Sequence, residues 1–212
     1  MDIINFLFRW AHVLFGIVWI GMLYYFNFVQ GGYFKVATPE ALQDAKEKLA
    51  PNALWWFRWG AMFTFITGLI LLASVGKMGL TNDYIIIGAL MATLMFINVW
   101  TVIWPNQQIA LGMVEGDSAT AAAKALLASR TNTLFSAPML FAMLASSHLG
   151  YSAQHLLSSQ GGGIGMMLAI LIIVLLEINA LFGKLGPIAS VKGVIHCSLG
   201  LTAVLVALLM YL

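Results

Sequence analysis

The residues with the clearest chemical potential in this chain are ionisable side chains inside or at the edges of long apolar segments. They are Arg9, His12, His148, Glu177 and His196. An ionisable group costs free energy in hydrocarbon, so such a residue within a membrane segment is a candidate functional residue. Neutral histidine is also the usual protein ligand of haem iron and other transition metals. These positions therefore indicate redox, metal or proton chemistry inside a membrane.

The composition is that of a polytopic membrane protein. Of the 212 residues, 61% are hydrophobic and only 8% are charged, whereas a soluble domain carries about 25% charged residues. We expect membrane lipid as a partner and no nucleic acid. The formal net charge of +2 itself says little about partners. The single cysteine, Cys197, excludes an intrachain disulfide and the CxxCH attachment site of a c-type haem.

Apolar segments long enough to cross a bilayer occur six times. A hydrocarbon core about 30 Å thick is crossed by about 20 helical residues. The predicted spans are 3–29, 56–75, 83–104, 134–157, 163–183 and 189–212, with surface helices over 38–52 and 115–131. Pro105 is expected to end the third span. Because open sheet edges do not occur in lipid, the predicted fold is an all-α transmembrane helix bundle that forms a single domain over 1–212.

The distribution of basic residues predicts the orientation of this bundle. Most lysines and arginines fall in or beside the first, third and fifth loops: Lys35, Lys46, Lys48, Arg58, Lys124, Arg130, Lys184 and Lys192. The opposite side carries only Arg9 and Lys77. Short loops rich in basic residues stay in the cytoplasm. Both termini are therefore predicted to be periplasmic.

Two histidines at similar depth predict a haem site near the periplasmic side. His12 and His148 each lie about nine residues, or about 13 Å, from the outer ends of their spans. Arg9, His12, Gly16 and Trp19 follow one another at helical spacing and share one face of the first span. His12 and His148 would ligate the iron of a b-type haem, and Arg9 would pair with its propionates. Gly16 would let the macrocycle approach the backbone, and Trp19 would pack on the ring.

Other roles for the histidines stay open. Polar side chains also hold membrane helices together by hydrogen bonds, without any cofactor. His196 could ligate iron in place of His148. His155 shares the face of His148 but is expected at the membrane surface.

A second group of polar side chains gathers toward the predicted cytoplasmic side. Its candidate catalytic residues are Arg58, Asn132, Glu177 and His196. Glu177 lies in the apolar run Leu175-Leu176-Glu177-Ile178, where a carboxyl group must be protonated or paired. Such a group could form a proton path, a pocket for a small anion or a second haem site. For Arg58 the alternative is a cytoplasmic anchor of the second span.

Several stretches of the chain carry a family resemblance. They are Arg9 to Gly21, Trp56 to Trp59 followed by Thr64 and Gly68, Asn98 to Gln107, Arg130 to Met143 followed by His148, and Ser190 to His196. In order and spacing they resemble the membrane-bound urate hydroxylase family, whose transmembrane part is called the urate oxidase N-terminal domain. The first stretch is also distantly similar to the copper-resistance D and membrane protoporphyrinogen oxidase families, which suggests a haem-binding bundle.

The resemblance implies a multi-pass protein of the bacterial inner membrane that oxidises urate to 5-hydroxyisourate. Members commonly end in a periplasmic cytochrome c domain, and this sequence has no CxxCH. A separate periplasmic cytochrome c or another redox subunit would then receive the electrons. An arginine would hold the urate anion, and Glu177 or His196 would take the proton. We therefore expect an oxidoreductase with haem b.

Two functions of other classes also fit the sequence. The chain could be a non-catalytic membrane subunit of a larger respiratory or photosynthetic complex. It could also be a proton-coupled transporter in which Glu177 and the histidines relay protons. The sequence shows no inverted repeat and no pair of broken helices, which counts against the transporter.

Overall fold

A computed structural model describes residues 3–148 and 163–212 of the chain. Every regular element within these two ranges is helical. The long helices are α1 Ile3–Tyr33, α2 Pro39–Lys77, α3 Asp83–Ala110, α4 Ser118–His148, α5 Ile164–Phe182 and α6 Val191–Tyr211. A single 3₁₀ turn, Gly186–Ala189, precedes α6.

Five of these helices (α1, α2, α3, α5 and α6) are long and apolar enough to cross a membrane. The predicted class, an all-α protein with membrane-spanning helices, is confirmed for the described residues. Helix α4 carries the first part of the predicted fourth span. Residues 149–157 of that span, and with them His155, lie outside the described residues. The number of six spans and the periplasmic termini stay predictions.

Two helices are longer than the sequence predicted. The expected surface helix over 38–52 and the span over 56–75 form one continuous helix, α2. Likewise the expected surface helix over 115–131 continues into α4 without a break. Pro51 does not interrupt α2, and a π turn, Ala45–Leu49, lies directly before it. A π turn changes the i→i−4 bonding that a proline would otherwise disrupt, so the chain can stay helical.

Pro105 does not end α3, contrary to expectation. The helix passes through it and ends at Ala110. A π turn, Asn98–Ile103, again precedes the proline. The sequence shows the proline, but the compensating change in the preceding turn depends on how neighbouring helices pack.

Contacts divide the chain into two compact units. The first unit contains residues 1–74 and 96–129, and the second contains residues 75–95 and 130–212. In the first unit the fully enclosed side chains include Trp19, Leu23, Phe57, Ala61 and Val99. In the second unit they include Met91, Phe135, Ile173, Val194 and Leu205.

Small residues set the close helix contacts inside each unit. In the first unit α1 approaches α2 so closely that a Cβ on Gly60 would lie 3.1 Å from the backbone nitrogen of Trp19. In the second unit a Cβ on Gly165 of α5 would overlap the backbone carbonyl oxygen of Leu208 of α6. Packing between small residues is the usual basis of helix association in membranes.

Candidate functional site

The site in the first unit is built on the contact between α1 and α2. His12 of α1 lies with its Nδ1 atom 2.9 Å from the backbone carbonyl oxygen of Thr64 and 3.1 Å from Oγ1 of Thr67. The Thr67 hydroxyl itself donates to the carbonyl oxygen of Phe63 at 2.7 Å. Its oxygen is thus able to accept from His12. Both contacts place the imidazole against α2.

These contacts decide the tautomer of His12. A backbone carbonyl can only accept, so Nδ1 must carry the hydrogen that it donates to Thr64. In the neutral imidazole Nε2 then has the free lone pair. Within the described part of the chain, Nε2 has no hydrogen-bond partner. A histidine whose second nitrogen donates to a backbone carbonyl is the usual arrangement of a metal ligand.

Gly68 lies against the same edge of the imidazole. A Cβ on Gly68 would lie 3.0 Å from Cε1 of His12, closer than side chains normally pack, and 3.5 Å from Nδ1. The absence of a side chain at this position lets the imidazole lie directly on α2. Gly68 and the two threonine acceptors therefore position the Nδ1 edge of the ring against α2.

The predicted face of α1 does meet a neighbouring helix. Gly16 faces Thr64, whose methyl carbon would be 3.9 Å from a Cβ on Gly16. Trp19 is buried, with 1% of its surface exposed, and packs beside Gly60. The side of α1 that carries His12 is thus largely occupied by α2. A role for Gly16 or Trp19 beside a macrocycle stays a prediction.

Arg9 is half-buried on the same helix. Its Nε donates to Oδ1 of Asn5 at 3.0 Å, and Asn5 donates to the hydroxyl of Ser74. Arg9 forms no ion pair with any described residue. Its terminal nitrogens are therefore available for an anionic group.

Arg58 lies in the first unit with Trp104 of α3. Its guanidinium carbon is 3.7 Å from the centre of the Trp104 ring, a cation–π contact. Its Nη1 atom is enclosed and has no hydrogen-bond partner within residues 3–148 and 163–212. The structure thus places Arg58 against an aromatic ring of α3.

The remaining predicted site residues lie in the second unit. Asn132 is fully buried and its Nδ2 donates to the backbone carbonyl of Met95 at 2.9 Å. Glu177 of α5 is also buried, with 8% of its surface exposed. His196 of α6 is exposed and has no bonded partner among the described residues. His148 is exposed at the C-terminal end of α4.

The structure shows partners that the sequence reasoning did not assign. Thr67 and Gly68 position His12. Their spacing along α2 from Thr64 could have predicted this contact, because small and polar residues mark helix contacts in membranes. Arg130, counted in the sequence among the basic residues in or beside the loops, is 8% exposed and belongs to the core. No sequence pattern distinguishes a buried arginine from an interfacial one here.

The described residues contain no group of three or more His, Cys, Asp or Glu side chains that could hold a metal ion. That search concerns metal sites in which protein side chains supply all the ligands. A haem brings four ligands of its own and needs only axial ligands from the protein. A single well-positioned histidine such as His12 is compatible with that type of site.

Comparison with known proteins agrees with the motifs. A family model described as "Urate oxidase N-terminal" matches residues 76–175, a range that contains α3 and α4 and part of α5. This confirms the resemblance to the urate oxidase N-terminal family. No curated protein and no solved structure matches the chain.

Proposed function

We propose that this chain is a membrane haem-b redox protein that resembles urate hydroxylase and passes electrons from a small substrate such as urate to a separate periplasmic cytochrome c. Three findings support the proposal: the family match over residues 76–175, the five helices able to cross a membrane and the geometry of His12. The bacterial inner membrane is the proposed location.

The observation that carries the proposal is the hydrogen bond from Nδ1 of His12 to the carbonyl oxygen of Thr64, 2.9 Å long. In the neutral imidazole it places the hydrogen on Nδ1, leaves the lone pair on Nε2 and fixes the direction of that lone pair. A free Nε2 is what an axial ligand requires, so the arrangement supports the proposed role of His12.

Two histidines would hold the haem. His12 would provide one ligand to the iron, and His148, proposed from the sequence alone, would provide the second. Arg9, which has no carboxylate partner among the described residues, would bind a propionate through a charge-assisted hydrogen bond. A haem held by two histidines supplies one-electron transfer, because its iron has no open position for oxygen.

The polar residues of the chain would serve the substrate. Urate and water give 5-hydroxyisourate with the release of protons and electrons in equal number. Glu177, buried in α5, is the proposed proton acceptor, with His196 as the alternative. Arg58 and Asn132 would orient the ring.

The first test is a reduced-minus-oxidised optical spectrum of the detergent-purified protein, with the haem quantified as its pyridine haemochrome. We expect a b-type signal that is lost in His12→Ala and in His148→Ala. The matched control is Val13→Ala, since Val13 is the next residue on α1 and is 60% exposed. That variant should keep its haem.

The same preparation tests electron flow. Anaerobic addition of urate should reduce the haem, and oxidised cytochrome c should then reoxidise it. A folded wild-type protein that binds no haem, even after reconstitution, would contradict the redox proposal and would favour a non-catalytic membrane subunit. If the protein binds haem but urate does not reduce it, the proposed cofactor stands and urate is not the substrate.

A further inference from the structure

Two helices of the first unit contain a π turn toward the end that is predicted to face the cytoplasm. One is Tyr25–Gln30 in α1, and the other is Asn98–Ile103 in α3. The turn in α3 precedes Pro105, whereas α1 contains no proline between Ile3 and Tyr33. Single π turns inside α-helices are frequent at functional sites. The turn in α1 is therefore a candidate for such a site, because no proline accounts for it.

Helix α2 brings the two π turns to the same level of the first unit. The ring of Phe26, in the α1 turn, lies 5.5 Å from the ring of Phe57, centre to centre. Two residues further along α2, the ring of Trp59 lies 5.7 Å from the ring of Trp100 in the α3 turn. Arg58 is the residue of α2 between these two contacts. It therefore lies at the level of both turns.

Four side-chain atoms of these elements are enclosed and have no hydrogen-bond partner among the described residues. Two are donors, Nη1 of Arg58 and Nε1 of Trp100, and two are acceptors, Oδ1 of Asn27 and Oε1 of Gln30. Buried polar atoms in native proteins are almost always satisfied, and an exception calls for an explanation such as a bound molecule. The presence of both kinds of atom favours a molecule that accepts and donates hydrogen bonds.

The orientation of the Asn27 side chain is fixed by its neighbours. Its Nδ2 atom donates to the backbone carbonyl oxygen of Leu23 at 2.9 Å and to Oγ of Ser129 at 2.8 Å. A backbone carbonyl only accepts, so the atom that faces Leu23 must be the nitrogen. Asn27 is 4% exposed. Its Oδ1 atom therefore presents an acceptor to the inside of the first unit.

The donors favour a negatively charged acceptor. The guanidinium of Arg58 lies 3.7 Å from the centre of the Trp104 ring. Such a contact uses the face of the guanidinium and leaves its N–H groups in the plane of the group, where they can bind an anion. The indole N–H of Trp100 is a second donor. Two donors, one of them cationic, suit an oxyanion.

We infer that the two π turns and Arg58 form a binding site for an anion that also carries N–H groups, and that this anion is the substrate. The inference rests on the proposed function, which supplies urate as the substrate class. A urate anion has acceptor oxygens that suit Arg58 and Trp100. It also has N–H groups that suit Asn27 and Gln30.

Urate binding to the purified protein tests the inference. Trp100→Phe removes one N–H group and keeps an aromatic ring, and Arg58→Gln removes the cation. Each variant should bind urate about tenfold more weakly or worse, as expected when a hydrogen bond to a charged group is lost. The matched controls are Trp56→Phe and Lys48→Gln, because both side chains are exposed on α2. Both controls should bind urate like the wild type.

A neutral analogue tests which chemical groups are recognised. The compound 1,3,7,9-tetramethylurate has the ring system of urate but neither its charge nor its N–H groups. The wild type should therefore bind this analogue far more weakly than urate. Equal binding of the two compounds would overturn the inference.

Melting temperatures separate a lost site from a lost fold. Urate should raise the melting temperature of the wild type and of Trp56→Phe, but not that of Trp100→Phe. If Arg58→Gln does not fold, Trp100→Phe decides the question, because it keeps the cation. If the folded variants bind urate like the wild type, the four enclosed atoms bind only water and the inference is wrong.

The site and the proposed function can fail separately. A wild type without haem whose urate affinity still falls in Trp100→Phe would remove the redox role and support the site. A haem-containing protein that urate binds and reduces equally well in Trp100→Phe, Arg58→Gln and the wild type would support the redox role and overturn the site.

Discussion

The Ser198 hydroxyl donates a hydrogen bond to the backbone carbonyl oxygen of Leu134 at 2.8 Å. Leu134 is four residues before Pro138, which lies inside α4. Since proline has no N–H, the carbonyl of Leu134 cannot receive its usual helical hydrogen bond. Ser198 of α6 supplies the missing donor. The Ser198 side chain thus replaces the helical hydrogen bond that α4 lacks at Pro138. It also joins α4 to α6 in the buried core of the second unit.

This relationship predicts a coupled effect of two substitutions. Ser198→Ala should lower the free energy of unfolding by about 1–3 kcal/mol, because it leaves a buried carbonyl without a donor. Pro138→Ala restores the backbone N–H, so Ser198→Ala should cost much less in that background. Chemical or thermal unfolding in detergent of both single variants and the double variant measures the coupling. Equal costs in both backgrounds would show that the two residues act independently.

The contact between Gly68 and His12 predicts an effect on cofactor binding. Gly68→Ala would place a methyl group 3.0 Å from Cε1 of His12, which should displace the imidazole and weaken its bond to Thr64. By analogy with other groups that orient metal ligands, we expect about tenfold weaker haem binding or more. Haem titration of the apoprotein, together with the reduction potential, is the measurement.

The control for this prediction lies on the same helix. A Cβ on Gly76 meets no atom within 4 Å, so Gly76→Ala should bind haem like the wild type. If Gly68→Ala has the same haem affinity and reduction potential as Gly76→Ala, the position of His12 is not set by α2 in the way proposed.

The packing of α5 on α6 predicts opposite effects for two glycines. Gly165→Ala would push a methyl group into the carbonyl of Leu208, and should destabilise the second unit by about 1–3 kcal/mol or more. Gly200 lies in α6 with open space around it, so Gly200→Ala should stabilise the helix by about 0.5–1 kcal/mol. The unfolding midpoints of the two variants, compared with that of the wild type, test both predictions. A neutral Gly165→Ala would mean that α5 and α6 are not in such close contact.

The start of α4 predicts a dependence of stability on pH. Asp117 accepts hydrogen bonds from the backbone N–H groups of Ala119 and Thr120 and from the Thr120 hydroxyl. Because these donors favour the charged carboxylate, the hydroxyl of Thr120 most of all, the pKa of Asp117 is below its ordinary value. The capping contribution is therefore complete above the ordinary aspartate pKa and is lost as the pH falls through the lowered one.

Asp117→Asn is the matched variant for this test, since asparagine can cap a helix without titrating. At neutral pH we expect it to be at most slightly less stable than the wild type. As the pH is lowered through the range of aspartate titration, the difference between the two melting temperatures should shrink. A difference that does not vary with pH would mean that the charge of Asp117 contributes nothing to the helix start.

The sequence predicted the membrane helices well because hydrophobicity and length are local properties. Five apolar helices lie where spans were expected, and the family resemblance read from motifs is confirmed by the match over residues 76–175. Helix ends were predicted less well. Pro105 was expected to end the third span, but α3 continues through it, because a π turn before the proline changes the backbone bonding.

The sequence likewise predicted only part of the candidate site. The residue types and the one-face spacing of Arg9, His12, Gly16 and Trp19 were visible in the sequence, since helical periodicity fixes which residues share a side. The identity of the partner across that face was not visible. Contacts of His12 with Thr64 and Thr67 join positions more than 50 residues apart, and only the packing of α1 on α2 creates them.

By itself, the sequence determined that this protein is helical, apolar enough for a membrane and similar to the urate oxidase N-terminal family. These properties depend on composition, on helical period and on ordered motifs along one chain. The tertiary structure decided which ring nitrogen of His12 is free, that Ser198 completes the helix at Pro138, and that Arg130 is an enclosed cation. The physical reason is that hydrogen-bond satisfaction and burial are properties of neighbours in space, and neighbours in space are set by how the helices pack.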